Sequence, residues 1–351
     1  MTISISKYAK ALRSAARLVA GLVAFVLSSC SLIYTDQEAC EFGLQLRFKY
    51  DYNMSFGDAF ATQVSRVSVY VFDEEGNFVT NRTEEGEALA QDGYRMKMNL
   101  PEGKYRFVCW GGKYEESFTH HMLTDDCTPS VELLEALMLR DEENEVKATD
   151  GSPLRPIFWG DAKDVYVNPR SLQQETISLM KLTNQIKVNL VNGEGETLST
   201  GDFDLHMKGT NGRLCANDAC LLEDDLVKYH PYYVADRPAF STQSTATKAT
   251  REGITAEFSC PRMMADDSDL RLHAIDKNTN KDVLDFPVAS ILASYAPSSM
   301  QIGEDIYVFY KQEYLDRNDL FNLTFIIKDG NWVSVDIQIN SWMMRVQNVN
   351  L

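Results

Sequence analysis

Residues 42–50 read Phe-Gly-Leu-Gln-Leu-Arg-Phe-Lys-Tyr. Phe42, Leu44, Leu46, Phe48 and Tyr50 occupy alternate positions, with mostly polar residues between them. Successive side chains of a strand point to opposite faces, so this pattern gives one apolar and one wet face, the mark of a half-buried strand. The same period continues outward. Val67, Val69 and Val71 begin a second strand ending at Phe72-Asp73, and the stretch Asp73 to Asn77, with Gly76, supplies turn chemistry before Phe78. Met96, Met98 and Leu100 alternate next. Pro101-Glu102-Gly103 then reads as a hairpin turn into Tyr105, Phe107 and Cys109, since proline presets one turn dihedral and glycine tolerates the positive one. Gly111-Gly112 ends that strand.

Residues 130–140 are the best internal helix candidate, with Ser130 as cap and Leu133, Leu134, Leu137 and Met138 on one face. Asp141 to Asp150 reads as an acidic loop, and Ile177 and Leu179 as a strand closing a first unit. Thr183-Asn184 is a plausible joint. Ile186, Val188 and Leu190 open the next unit, and Phe203, Leu205 and Met207 alternate again. Residues 237–252, rich in Ser, Thr and Ala, read as an exposed loop. Leu270 and Leu272, then Ile306, Val308 and Tyr310, then Leu323, Phe325 and Ile327, read as strands. Asp329-Gly330 is a two-residue hairpin signal. Val333, Val335, Ile337 and Ile339 follow on odd positions, and the apolar set then moves to Trp342, Met344 and Val346, which predicts a bulge or kink. Many short strands with few helices argue an all-β chain of two tandem sandwiches, residues 40–183 and 184–351. No short fixed-period repeat is visible.

The N-terminus has its own grammar. Lys7, Lys10, Arg13 and Arg17 precede an apolar run from Leu18 to Leu27, followed by Leu27-Ser28-Ser29-Cys30. This is the layout of an export signal over residues 1–29. The run is shorter than the ~20 apolar residues that span a bilayer. A leucine three places before a cysteine, with small residues between, resembles the lipobox of bacterial lipoproteins. That resemblance implies cleavage between Ser29 and Cys30, acylation of Cys30, and a tether over residues 30–39. The formal charge is −17 for the whole chain, and removing the four basic residues of the signal leaves −21. Such a surface disfavours nucleic acid and anionic lipid, so the acyl chains would do the anchoring.

Seven cysteines are present, an odd number for an exported protein. Lipidation of Cys30 leaves six, Cys40, Cys109, Cys127, Cys215, Cys220 and Cys260, enough for three disulfides among 15 connectivities. Cys215 and Cys220 suit a short loop, and Cys109 and Cys127 share one predicted domain; some of the six can instead be buried free thiols. No Cys-x-x-Cys pair exists, and the five histidines complete no zinc spacing. His120-His121 near Asp125 and Asp126 reads as an exposed loop cluster. The acidic runs Asp141-Glu142-Glu143 and Asp266-Asp267-Ser268-Asp269 lack calcium-loop spacing. Trp110, Trp332 and Trp342 fall in or beside predicted strands, which favours packing over a sugar-binding face, with Trp159 the remaining tryptophan. No nucleophile elbow, metalloprotease helix or phosphate loop is present, so neither an enzyme nor a cofactor is expected.

Several stretches together resemble the fimbrillin-A-associated anchor family of type V fimbriae. They are Cys40 and the strand running into Tyr50-Asp51-Tyr52-Asn53, Val69-Tyr70-Val71-Phe72-Asp73 with Gly76, and Leu100-Pro101-Glu102-Gly103-Lys104-Tyr105 leading to Trp110-Gly111-Gly112. They continue with Phe158-Trp159-Gly160, Tyr314-Leu315-Asp316-Arg317 and Ile339-Asn340-Ser341-Trp342. The resemblance implies two transthyretin-like sandwiches in a surface-exposed outer-membrane lipoprotein that ties a fimbrial shaft to the cell and limits its length. It implies shaft subunits as partners, joined by docking or strand exchange, with Val333 to Leu351 as the candidate segment; the simpler reading makes that segment the last core strand. A surface adhesin for glycan or host protein is the alternative.

Overall fold

The stretch that opens the sequence reading forms a ten-residue strand, β1 (Gly43–Tyr52), with Leu44, Leu46, Phe48 and Tyr50 buried and Phe42 left outside it. The computed structural model describes residues 42–121, 131, 134–148, 150–240, 251–302, 305–339 and 342–347. After β1 come β2 (Arg66–Asp73), β3 (Phe78–Glu85), β4 (Met96–Met98), β5 (Gly103–Gly111), β6 (Phe118–His121), β7 (Glu135–Met138), β8 (Glu145–Val146), β9 (Phe158–Val167) and β10 (Leu172–Lys181). The second half holds β11 (Thr183–Asn192), β12 (Phe203–Gly209), β13 (Arg213–Cys215), β14 (Val227–Tyr229), β15 (Tyr233–Phe240), β16 (Arg251–Pro261), β17 (Arg271–Asp276) and β18 (Lys281–Pro287). It ends with β19 (Ser299–Ile302), β20 (Asp305–Val308), β21 (Leu320–Lys328), β22 (Asn331–Ile339) and β23 (Trp342–Gln347). Among the described residues three short α-helices lie between strands: α1 (Phe60–Gln63), α2 (Val288–Ser294) and α3 (Lys311–Arg317).

The architecture is all-β, two tandem sandwiches. A seven-stranded sheet, β3-β2-β5-β9-β10-β1-β4, comes entirely from residues before Leu182. It rolls around its own core of Leu46, Val67, Val69, Phe107, Ile177 and Leu179 until its two edges approach. There Arg82 of β3 donates to the Lys97 carbonyl of β4 at 2.8 Å, and the Tyr94 hydroxyl donates to Glu84 at 2.7 Å. Among the described residues no backbone ladder joins β3 to β4, and these side-chain bonds cover the two edge strands that would otherwise invite further pairing. The second half stacks the six-stranded sheet β15-β16-β11-β21-β22-β23 on the five-stranded β18-β17-β12-β14-β8. Val188, Leu205, Leu272, Phe286, Leu323 and Ile337 fill the space between them.

The halves interlock. Strand β7 pairs with β13 on one side and β6 on the other, and the two residues of β8 pair with β14, so the excursion between β5 and β9 contributes strands to sheets of the second half. Tyr70, Phe72, Val108 and Trp110, on the outer face of β2 and β5, join the larger core. Only a single residue, Leu182, separates β10 from β11, and Thr183 and Asn184 are buried strand residues, so the chain passes from one unit to the next inside paired strands.

Several local expectations change. Residues 135–138 form a strand, not part of a helix: Leu134, Ala136 and Met138 are buried at period two, and pairing on both sides with β6 and β13 overrides the helical spacing of the leucines. The Pro101–Gly103 turn is not a hairpin. It arches between β4, which pairs with β1, and β5, which pairs with β2 and β9. Residues 237–240 and 251–252 extend the β15–β16 hairpin instead of belonging to a loop. In β20 and the two residues after it the apolar alternation points outward: Ile306, Val308 and Tyr310 are 73%, 63% and 78% exposed, while Phe309 is buried. The phase change after Ile339 is a reversal rather than a kink, because β23 runs antiparallel to β22 with Trp342 opposite Ile339. The turn at Asp73–Asn77 and the Asp329-Gly330 hairpin, both with positive φ, are as read.

Gly112 shows where glycine is required. Its φ is +98°, and a Cβ there would sit 2.2 Å from the Pro156 carbonyl oxygen. Gly76, at φ +83°, has nothing within 4 Å of the same atom. Gly112→Ala should therefore cost the protein roughly 1–3 kcal/mol through left-handed backbone strain, plus the cost of displacing the Pro156 carbonyl, and Gly76→Ala only the former. Chemical denaturation of the two variants side by side checks the ordering.

Candidate docking edge and inter-unit junction

Of the residues singled out from sequence, Cys30, Cys40, Cys127, Asp125 and Asp126 lie outside the described residues. Cys215 and Cys220 are joined, with Cα atoms 5.3 Å apart. Cys109 and Cys260 are free and wholly buried, in separate cores, the buried free thiols that the sequence left open as an alternative. Burial pushes both thiols up, Cys260 to about 12, which leaves them as small apolar core residues. His120 and His121 sit in β6, in register with Ala136 and Glu135, rather than in a loop. Both acidic runs satisfy their own turns: Asp141 accepts from the Glu143 and Glu145 amides, and Asp267 from the Asp269 and Leu270 amides. Among the described residues no group of three or more His, Cys, Asp or Glu converges as a metal site. Trp110 is fully buried and Trp332 packs edge-on against Phe286 and Phe325.

Two features remain that can carry function. The first is the junction. The Cys215–Cys220 loop, with Asp218 and Ala219 both at positive φ, leans on the first unit. Trp159 Nε1 donates to the Ala216 carbonyl at 2.9 Å, Arg106 reaches Asn217 at 3.0 Å, and Lys163 pairs with Asp218 at 2.6 Å. From the second unit Arg262 holds the same loop, donating to the Ala219 carbonyl at 2.5 Å. Its guanidinium is clamped by Asp316 through bonds of 2.8 and 2.6 Å, and both side chains are buried. A second bolt stands beside it. Arg317 of α3 donates to the Asp51 carbonyl at 3.1 Å, stacks over Tyr52 and Phe56 at 4.1 and 4.4 Å, and pairs with Glu313 at 2.8 Å. Burial opposes the Arg317 charge, but its hydrogen bonds to Glu313 and Tyr307 outweigh that and hold its pKa above the usual guanidinium value. Burial, then the Asp316 and Glu313 charges, pushes Tyr52 up to about 12. Tyr52, Trp159, Asp316 and Arg317 thus come together from three of the stretches quoted for the resemblance. Arg262 was missed, because a buried ion pair between residues 54 apart leaves no local pattern.

The second feature is an open sheet edge. In the six-stranded sheet the edges are β15 and β23. β15 carries Asp236, Arg237 and Pro238 and a register shift between Arg237 and Phe240, the devices that protect an edge from further pairing. β23 reads Trp-Met-Met-Arg-Val-Gln, with one charge and no proline, and pairs residue for residue with β22 from Ile339–Trp342 to Ser334–Gln347. β22 itself is a core strand, with Val335 and Ile337 fully buried. Within the segment Val333 to Leu351, the simpler reading therefore holds for β22, and β23 supplies the edge.

A groove of about 500 Å³ lies between the 139–155 loop and His230-Tyr232. Its charged side chains pair with acids and bases of the protein: Arg140 with Asp224, Lys147 with Asp141 and Glu145, Arg155 with Glu116, and His230 with Glu145. Among the described residues no helix is long and apolar enough to cross a membrane.

The family model of the fimbrillin-A associated anchor proteins Mfa1 and Mfa2 matches residues 37–348. The chain belongs to this anchor family. Solved structures agree. A Bacteroides thetaiotaomicron protein described as a proposed adhesin is 28% identical, with a TM-score of 0.73 over 89% of this chain and 100% of its own. Another from the same species, described as a proposed polysaccharide-binding protein, is also 28% identical, with a TM-score of 0.70 and the same coverage. The fimbrial anchor protein Mfa2 of Porphyromonas gingivalis shares the fold at 14% identity, with a TM-score of 0.61 over 86% of this chain and 98% of that one. No curated protein sequence matches significantly. Anchor-family membership makes this a fimbria-associated cell-surface protein, of a structural rather than an enzymatic family.

Proposed function

We propose that this chain is an outer-membrane lipoprotein that anchors a fimbrial shaft to the cell surface and limits its length. Its residues 1–29 are removed, Cys30 carries the acyl chains, residues 30–39 are the tether, and the units 40–183 and 184–351 stand on it. A shaft subunit docks along the β23 edge by main-chain pairing, in which backbone hydrogen bonds supply affinity and alternate side chains supply specificity. The observation that carries this reading is the anchor-family match over residues 37–348, beginning just after the lipobox cysteine. Removing residues 342–351 should leave a folded protein by circular dichroism that no longer retains purified shaft subunits in a pull-down, and cells that shed their fimbriae. Undiminished retention by the truncated, folded chain would refute docking at β23.

The alternative, an adhesin for glycan or host protein, draws on how the two Bacteroides thetaiotaomicron relatives are described. The 500 Å³ groove offers it one aromatic side chain, Tyr232, among charges engaged with one another. Glycan-array binding by the soluble mature chain would favour it.

A further inference from the structure

The end of the first unit where β1 begins carries large apolar side chains that the core does not use. Phe42 is 64% exposed, Leu172 48% and Tyr166 55%. They form one rim. Gly43 pairs with Leu172 and donates to the Ser171 carbonyl at 3.0 Å. Gln173 donates to the Tyr166 carbonyl at 2.9 Å, and the Tyr166 hydroxyl bonds Glu102 of the β4–β5 arch. The exposed Pro101 belongs to the same arch, and the exposed Arg170 lies in the turn between β9 and β10. This rim is also where the chain enters from Cys30, twelve residues before Phe42. At 3.3–3.6 Å per residue that span reaches at most about 40 Å, so lipid on Cys30 holds the unit near the bilayer by this end, the one the tether joins directly.

We infer that the rim of Phe42, Leu172 and Tyr166 rests in the lipid interface. The inference builds on lipidation of Cys30. Aromatic side chains with an apolar body and a polar tip partition to the headgroup level, as Tyr166 can here, with Phe42 and Leu172 beneath it. The charges nearby select the lipid. Lys104 is already paired with Glu74 and Asp164, and Glu75 and Glu102 stand exposed, so a zwitterionic surface suits the rim and an anionic one does not. The contact sets orientation, holding β1 upright on the membrane, while the acyl chains provide retention.

The test uses the full lipidated protein in phosphatidylcholine–phosphatidylethanolamine vesicles with brominated acyl chains. Phe42→Trp and Leu172→Trp are compared with Tyr310→Trp, an exposed position beyond the other end of β1, about 30 Å away. The emission that Phe42→Trp and Leu172→Trp add over wild type should shift to shorter wavelength and be quenched; that from Tyr310→Trp should not. Protein that floats with the vesicles while both rim tryptophans stay unquenched, or while Tyr310→Trp is quenched equally, overturns the inference and leaves lipidation standing. Wild-type protein that fails to float overturns lipidation and this inference together.

Discussion

Arg262→Ala should destabilise the protein by about 3–5 kcal/mol, the largest loss expected of any single side chain described above. The reason is what the change leaves behind. Asp316, its side chain only 4% exposed, loses a bidentate partner at 2.8 and 2.6 Å, and the Ala219 carbonyl loses its donor. A buried carboxylate without a counter-charge is far costlier than the intact pair is favourable. Cutting the Cys215–Cys220 bond is the natural comparison, since it frees the same loop. By loop entropy that bridge, closing so few residues, is worth about 2 kcal/mol. Denaturant titration should therefore rank Arg262→Ala below the reduced wild type. Arg262→Lys should rescue little, because an ammonium cannot reproduce the two parallel bonds. The paired change Arg262→Met with Asp316→Leu should recover much of the loss by removing both charges. If Arg262→Ala unfolds at the wild-type midpoint, the clamp is not what joins the units.

Cys30→Ala should move the protein from the membrane pellet to the soluble fraction. Each acyl methylene buried contributes ~0.8 kcal/mol, so a single chain is marginal and several on one residue hold firmly. Little else here can replace them. A charge of −17, or −21 with residues 1–29 removed as proposed, repels anionic lipid, and no described helix can span a bilayer. The rim at Phe42 and Leu172 is too small to retain a protein of this size alone. Alkaline-washed membranes, blotted for wild type and variant, read the result directly. Variant protein that stays with the outer membrane would end the lipoprotein reading.

The β-strands were legible because burial on one face imposes period two, and that period survives wherever a strand borders a single core. It fails where tertiary pairing decides. Leu133, Leu134, Leu137 and Met138 have helical spacing, yet neighbours on both sides draw residues 135–138 into a sheet. Ile306, Val308 and Tyr310 alternate cleanly but on the solvent face, since hydrophobicity alone does not tell which side of a two-stranded hairpin will be covered. The junction was half legible. Tyr52, Trp159 and Arg317 lay within the quoted stretches, but nothing in their local spacing says that Arg317 stacks on an aromatic 265 positions earlier.

The parallel pairing of β1 with β10 bears on how an anchor would withstand tension. From Gly43–Leu172 to Lys49–Ser178 the two strands lie side by side, and β10 leads through Leu182 into β11, which lies parallel to β21 in turn. If Cys30 is held in the membrane and a shaft docks on the second unit, as proposed, tension enters through the first residues of β1 and loads it along its length. Its hydrogen bonds to β10 are then strained sideways and together, rather than opened one after another from an end. Flow against a fimbrium would thus meet a lap joint rather than a zipper, with the interface spanning the full height of the first unit.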